Sequence, residues 1–356
     1  MPAKSKFYRF LRWINILLIL VTLLAYLAPY VSPVVFWPIS FAGLLYPWLL
    51  LGNILCIIGW LALRKYYFLF SLGCILLGWS HFQSYIGLHF GPRNYPEGSI
   101  RVMTFNSFGF HHGGKAGARF TLEELPGSFP LEGMDIICFQ EFPSPRRANY
   151  FVDYIRANSP LKNVVFQKGG SLAIFSRFPV KAKDTHYFPN RVNGYQYADL
   201  EINGRMVRLF NIHLQSNSVA GIADQVAEEG ANLQDKKTWL RIRGMMGRYK
   251  RTAILRAEQA QEVVEKIKES PYPVLLCGDF NEIPQSYAYH TLSQGLQDAF
   301  KARGSGLGVT YNGRIPALRI DYVMAGPEFE VLGHQIGRAK FSDHFPVFGV
   351  VRLIGE

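Results

Sequence analysis

The stretch Val274–Glu282 (Val-Leu-Leu-Cys-Gly-Asp-Phe-Asn-Glu) sets a carboxylate and an amide two residues apart, directly behind an apolar run. The apolar run reads as a buried strand that Gly278 ends. On a backbone still extended there, Asp279 and Asn281 leave on the same side. A carboxylate and an amide so placed suit a phosphate oxygen, a metal ion or an attacking water. Gly-Asp-x-Asn is an equally good turn sequence, so the pair alone decides nothing. Recurrence decides it. Ile100–Phe105 delivers Asn106, Met134–Phe139 delivers Gln140 and Glu141, and Arg205–Ile212 delivers His213. Ile320–Met324 carries Asp321, and Asp343-His344 stands just before the run Pro346–Leu353.

Asn106, Glu141, His213, Asp279, Asn281, Asp321, Asp343 and His344 form a set with its own logic. A few carboxylates and amides without thiolates suit a hard cation, Mg²⁺ or Mn²⁺, rather than structural zinc. Histidines beside carboxylates equip a site for general base work and for stabilising phosphate oxygens. Together they describe metal-assisted attack of water on a phosphate ester. Each residue also has a plain structural reading. Asn106 can cap a turn, Glu141 can be a solvated strand end, and either histidine can be a satisfied core residue. Asp321 can pair with Arg319, and Asp343 can cap or turn. The chemical reading rests on the joint pattern.

Seven blocks in order resemble the endonuclease/exonuclease/phosphatase superfamily, the deoxyribonuclease-I-like fold. They are Val102–Asn106, Asp135–Glu141, Leu172–Pro179, Asn211-Ile-His213-Leu, Gly278-Asp-Phe-Asn281, Arg319-Ile-Asp321-Tyr and Ser342-Asp-His344-Phe-Pro346-Val. The resemblance implies a four-layer α/β/β/α sandwich of two mixed sheets over about residues 100–356. It implies Glu141 as the principal metal ligand, with Asn106 beside it and Asp343 near the same ion. His344 would then be the base for water, with Asp321 orienting its ring. His213 would donate to a non-bridging phosphate oxygen, and Asp279 and Asn281 would position nucleophile and phosphorus. The base assignment stays open between His344 and Asp279.

The chain is longer than one domain needs, and its first 90 residues differ from the rest. They hold no Asp or Glu and six basic residues, Lys4, Lys6, Arg9, Arg12, Arg64 and Lys65. Trp13–Tyr30, Val31–Leu63 and Tyr66–Ile86 are uncharged, and a bilayer crossing takes about 20 residues. The expectation is three transmembrane helices, at 13–30, 39–63 and 66–86, as the anchor (1–90). A Pro/Gly-rich linker (91–99) and the catalytic domain (100–356) follow. Basic clusters belong on the cytoplasmic side. Three spans then make this a multi-pass cell-membrane protein whose catalytic domain is extracytoplasmic. Cys138 and Cys277 lie inside apolar runs and read as core residues, not a disulfide framework.

From Asp235 to Arg256 the chain carries eight basic residues and one acid. This is either a solvated helical face or a guide for phosphates or anionic headgroups. Ala253–Ile267 has the apolar spacing of a helix. His111–Lys115 reads as an ordinary loop after the first block. The expected partners are a phosphate-ester substrate, nucleic acid or phospholipid head group, and the lipid bilayer; no protein partner is implied. The expected enzyme is a Mg²⁺-dependent phosphodiesterase or nuclease. A lipid-directed enzyme with the same site stands second, and an inactive binding module third.

Overall fold

The computed structural model describes residues 2–91, 94–111, 131–143, 145–189, 192–216, 236–313, 318–338 and 341–355. The strands are β1 (Ile86–Leu88), β2 (Ile100–Asn106), β3 (Ile136–Gln140), β4 (Asn163–Phe166), β5 (Ala173–Ser176), β6 (Val180–Tyr187) and β7 (Gly194–Ile202). They continue with β8 (Arg205–His213), β9 (Val274–Asp279), β10 (Gln297–Asp298), β11 (Ser305–Leu307), β12 (Asp321–Ala325), β13 (Phe329–Ile336) and β14 (Val347–Leu353). The helices are α1 (Pro2–Leu27), α2 (Pro33–Phe36), α3 (Pro38–Leu44), α4 (Tyr46–Ala62), α5 (Phe68–Leu77) and α6 (Trp79–Gln83) in the N-terminal unit. Beyond it come α7 (Pro145–Asn158), α8 (Lys236–Lys268), α9 (Tyr287–Leu292) and α10 (Ala299–Arg303).

Two six-stranded sheets, in the orders β10-β12-β9-β8-β7-β6 and β13-β14-β2-β3-β5-β4, stack face to face. Each is mixed, because β2–β3 and β8–β9 run parallel while the other pairs are antiparallel. The central strands read as unbroken apolar runs because both of their faces are covered. Val102 faces the core between the sheets, while Met103 and Phe105 face the layer of α7. Leu275 and Cys277 enter the same inter-sheet core, while Val274 and Leu276 pack under α8 and α9. The four-layer sandwich is therefore built by strict alternation along strands apolar on both sides.

A buried ion pair locks one end of it. Arg319, 1% exposed, holds Asp298 through Nη1 and Nη2 at 3.1 and 2.6 Å. Its guanidinium also faces Phe300 at 4.8 Å and Tyr322 at 4.7 Å. Arg319 thus pairs with Asp298 and not with Asp321 two positions on. Burial opposes the Asp298 charge, but Arg319 outweighs it and holds the carboxyl below its ordinary range. Asp298→Ala strands a buried guanidinium and should cost about 3–5 kcal/mol, read by thermal unfolding of the purified chain. The loss should be present at neutral pH and shrink only as pH falls through the depressed carboxyl value.

The three expected spans are corrected to fewer. One helix, within Lys6–Tyr30, is long and apolar enough to cross a bilayer, and α3 with α4 forms a second candidate bent by 53°. The third segment, Tyr66–Ile86, divides into α5 and α6. Gly78 sits at that break, and the ring of Tyr26 occupies the place a Cβ would take. Pro47, in the first turn of α4, favours the bend at that break because it has no backbone donor for the preceding turn and its ring crowds the carbonyl there. Cys138 and Cys277 are free thiols in the core, as expected.

Candidate active site

Register places most of the expected residues at one end of the sandwich. The parallel pairs align Asn106 with Gln140, and His213 with Asp279. The antiparallel pair sets Asp321, the first residue of β12, opposite Asp279. Asp343 and His344 arrive from the turn before β14, where Ser342 Oγ donates to the Asn106 carbonyl at 2.7 Å. The same Oγ accepts from the His344 amide at 3.0 Å.

Asn106 is the hub. Its Nδ2 donates to Glu141 Oε1 at 3.1 Å and to Asp279 Oδ2 at 2.9 Å. Asp279, fully buried, also accepts from Asn281 N at 2.8 Å and Asn281 Nδ2 at 3.1 Å. The extended path expected between Asp279 and Asn281 is corrected here. Asn281 has φ +50° and closes an Asx turn, so the turn and the paired side chains are one structure. Glu141 also has φ +50°, which costs a non-glycine residue on the order of 1–3 kcal/mol. Its carbonyl is pinned by Gly109 N at 2.9 Å and Ser107 Oγ at 3.0 Å. That turn lifts the Glu141 carboxylate into the cavity that Asp343 and His344 also line.

His344 Nδ1 lies 3.1 and 3.0 Å from the two oxygens of Asp321, which fixes the ring and turns Nε2 towards Asp279 Oδ2, 3.9 Å away. Burial opposes the His344 charge, but Asp321 and Asp279 overcome it and raise its pKa to about 10. Tyr311 covers the ring edge-on at 5.2 Å. His213 behaves oppositely: burial pushes its pKa down, against the pull of Asp279. Neither His213 nitrogen has a hydrogen-bond partner among the described residues, and Nε2 stands 3.6 Å from Asp279 and 3.8 Å from Glu141. Asp279 is raised by burial and by Asp321, and Asp343 by burial and by the charge of Glu141.

Among the described residues, Asp279, Asp321 and His344 bring ligand-type atoms within 4.8 Å of one another. This group differs from the expected set Asn106, Glu141 and Asp343, but its His344 and Asp321 already satisfy each other. The expected set has the better claim to a hard cation. Asp343 Oδ1 is buried without a hydrogen-bond partner among the described residues, and two carboxylates crowd one cavity.

Sequence reasoning missed the supports. Gln140 Nε2 donates to Asn211 Oδ1 at 2.7 Å, and Asn211 Nδ2 to the Phe139 carbonyl at 2.9 Å. This staple ties the two sheets directly beneath the site. Both residues adjoin expected ones, and polar side chains within apolar runs were the available signal. Arg256, read as part of a basic face, is wholly buried against Glu282, with Nε 2.8 Å from Oε1. Of the loop His111–Lys115 only His111 is described; its Nδ1 lies 2.5 Å from the Phe108 carbonyl. His112–Lys115 lie outside the described residues, as do 116–130 and 217–235.

No curated protein matches the chain significantly. Residues 8–85 match a domain of unknown function (DUF8431). Among solved structures the chain is similar to an endonuclease/exonuclease/phosphatase from Beutenbergia cavernae DSM 12333, at 19% identity, TM-score 0.51 and 72% of each chain covered. It is also similar to humanized D. rerio TDP2, at 16% identity and TM-score 0.49 over 72% of this chain and 100% of that one. Beta toxin 275-280 from Staphylococcus aureus gives 16% identity and TM-score 0.48, over 70% of this chain and 99% of that one. These likenesses concern the fold. The match of residues 103–344, more than half of the sequence, to the family model shows that the chain belongs to the Endonuclease/Exonuclease/phosphatase family.

Proposed function

We propose that this chain is a membrane-anchored, divalent-metal-dependent hydrolase of phosphate esters. Members of its family are hydrolases acting on phosphodiester bonds. The observation that carries the reading is the convergence of Asn106, Glu141, His213, Asp279 and the His344–Asp321 pair at one end of the sandwich. Glu141 and Asp343, with Asn106 beside them, would hold the ion. Mg²⁺ or Mn²⁺ bound there supplies positive charge against the charge that builds on the phosphate. His213, kept neutral by burial, donates an N–H to a non-bridging oxygen. Asp279 takes the proton of the attacking water, while His344, kept protonated by its carboxylate neighbours and held by Asp321, stabilises that charge and returns a proton to the leaving oxygen. The new bond joins water oxygen to phosphorus, the ester P–O bond breaks, and the leaving oxygen recovers a proton. The direct test is hydrolysis of a simple phosphodiester by the full-length chain with Mg²⁺, Mn²⁺ or chelator. Turnover indifferent to chelation ends the metal reading, and no turnover of diesters or monoesters ends the hydrolase reading.

The anchor reading (1–90, with linker 91–99 and catalytic part 100–356) rests on exposed apolar surface. Phe10, Trp13, Leu17, Leu20 and Leu24 on α1 are each more than half exposed, a stripe that water does not tolerate at such length. Orientation is supported by charge placement. Arg12 lies 5.6 Å from the Tyr67 ring centre and Lys65 5.4 Å from that of Tyr8, so both basic clusters meet at one end of the helical unit. The catalytic part meets the opposite end, where Gln285 reaches the Ala25 carbonyl and Tyr30 packs on His290. With the basic end in the cytoplasm, the site faces the extracytoplasmic side. A reporter that works only outside the cytoplasm should then be active when fused after Arg352 and silent after Arg64. A silent fusion after Arg352 overturns the orientation. Nucleic acid is the second substrate class, favoured by the exposed Arg241, Arg243, Arg248, Lys250 and Arg251 on α8.

A further inference from the structure

The cavity over the catalytic residues encloses about 500 Å³ and has two unlike ends. One end is Glu141, Asp279, Asn281, Asp343 and His344. The other is an apolar wall of Leu44, Leu45, Pro47 and Trp48, contributed by the corner between α3 and α4. That corner belongs to the N-terminal helical unit, outside the catalytic sandwich. It is fastened to the sandwich by design of contact. Tyr249 Oη donates to the Ser40 carbonyl at 3.0 Å, and the Phe41 and Tyr249 rings lie 4.4 Å apart. Gly43 approaches the backbone of Gln285 so closely that no Cβ fits between them.

Two further observations say what the wall receives. No Lys or Arg lines the cavity among the described residues, whereas a path for a polyanion needs cations along it. And the wall does not stop at the cavity. From Trp48 an apolar stripe continues along α4 through Leu51, Leu55 and Ile58, each between 47% and 58% exposed. Steps of three and four residues keep all four on one helix face. The stripe leads from the apolar wall of the cavity along the candidate span.

Resting on the phosphoesterase reading above, we propose that the substrate is an amphiphilic phosphate ester. Its alkyl tail lies against Leu45 and Trp48 while its phosphate lies at Glu141, Asp279 and His344. The N-terminal unit is then a specificity element as well as an anchor. It delivers a tail lying along the α4 stripe directly to the catalytic end.

The test uses the full-length chain in detergent and a series of alkyl 4-nitrophenyl phosphate diesters from methyl to hexyl. Each methylene that reaches the wall should raise kcat/KM roughly 3-fold, and the hexyl-to-methyl ratio should reach about 10². In the double variant Leu45→Ala, Trp48→Ala the ratio should fall at least tenfold. The hexyl-to-methyl ratio cancels any general loss of active protein, and comparing that ratio between wild type and variant at one detergent concentration cancels the partition of the longer ester into micelles. A ratio near one in the wild type, or an unchanged ratio in the variant, overturns the proposal. Binding of methyl- and hexylphosphonate, read by thermal stabilisation, separates the two readings. Hexyl-selective binding that the variant loses, without turnover of any ester, upholds the wall and overturns the hydrolase reading. Equal binding of the two phosphonates overturns the wall.

Discussion

His344→Ala should lower turnover of any ester the enzyme hydrolyses by about 10²–10⁴-fold, the usual worth of a positioned proton-transfer group. The geometry sets the size of the companion effect. Asp321 makes its hydrogen-bonding contact with the chemistry through the His344 ring, with Nδ1 at 3.0–3.1 Å from its oxygens. The double variant H344A/D321A should therefore be little worse than H344A alone. Fully multiplicative losses mean that Asp321 acts separately, and the pair as described is wrong. A readout without substrate exists too. His344 has its pKa raised to about 10 in the folded chain, against about 6.5 when unfolded. Its stabilisation is fully present below about pH 6.5 and lost as pH rises through about 10. In chelator, the melting difference between wild type and H344A should be largest near pH 6 and should narrow towards pH 10. A difference flat across that window sinks the charge-pair account.

How much of this was legible in the sequence differs by element, for physical reasons. The central strands announced themselves because both faces are buried, so β2, β3, β8 and β9 are nearly uninterrupted apolar runs. The β2, β8 and β9 runs end in the site residues Asn106, His213 and Asp279; the β3 run ends in Gln140, with the site residue Glu141 one further on. β6 was missed because Val180–Tyr187 is the edge of its sheet and mostly exposed, with Lys181, Lys183 and Asp184 facing solvent. α8 runs to 33 residues, well beyond the expected Ala253–Ile267. Its first half is dense in exposed basic residues around a narrow apolar face of Ile242, Met245 and Tyr249, and leans through Tyr249 on the N-terminal unit. Arg256 was misread because its partner Glu282 stands 26 residues away, and charge runs carry no trace of such a pairing. The third span failed on one glycine, Gly78, whose missing side chain admits Tyr26 from α1. The apolar cavity wall was illegible for the same reason as all of these: it joins segments far apart in the chain.

Glu141→Gln should raise the divalent-ion requirement and lower turnover by roughly 10²–10³-fold, if the ion supplies several kcal/mol of charge stabilisation. Glutamine keeps the shape and the contact with Asn106 Nδ2, 3.1 Å from Oε1, and removes only the charge. The substitution makes two opposite predictions about stability, which no folding defect reproduces. Without ions, Glu141 destabilises its neighbour: burial and the Glu141 charge together push the Asp343 carboxyl up. Removing that charge should leave the ion-free melting temperature unchanged or higher. With ions, wild type should gain stability as RT ln(1 + [ion]/Kd), about 2.7 kcal/mol at a hundred times Kd. The variant should lose most of that gain. Asp343→Asn should do the same if both carboxylates hold one ion. If Glu141→Gln keeps the full ion-induced shift, the ion sits elsewhere. The Asp279, Asp321 and His344 group is then the place to look, and the role of His344 as a proton carrier falls with it.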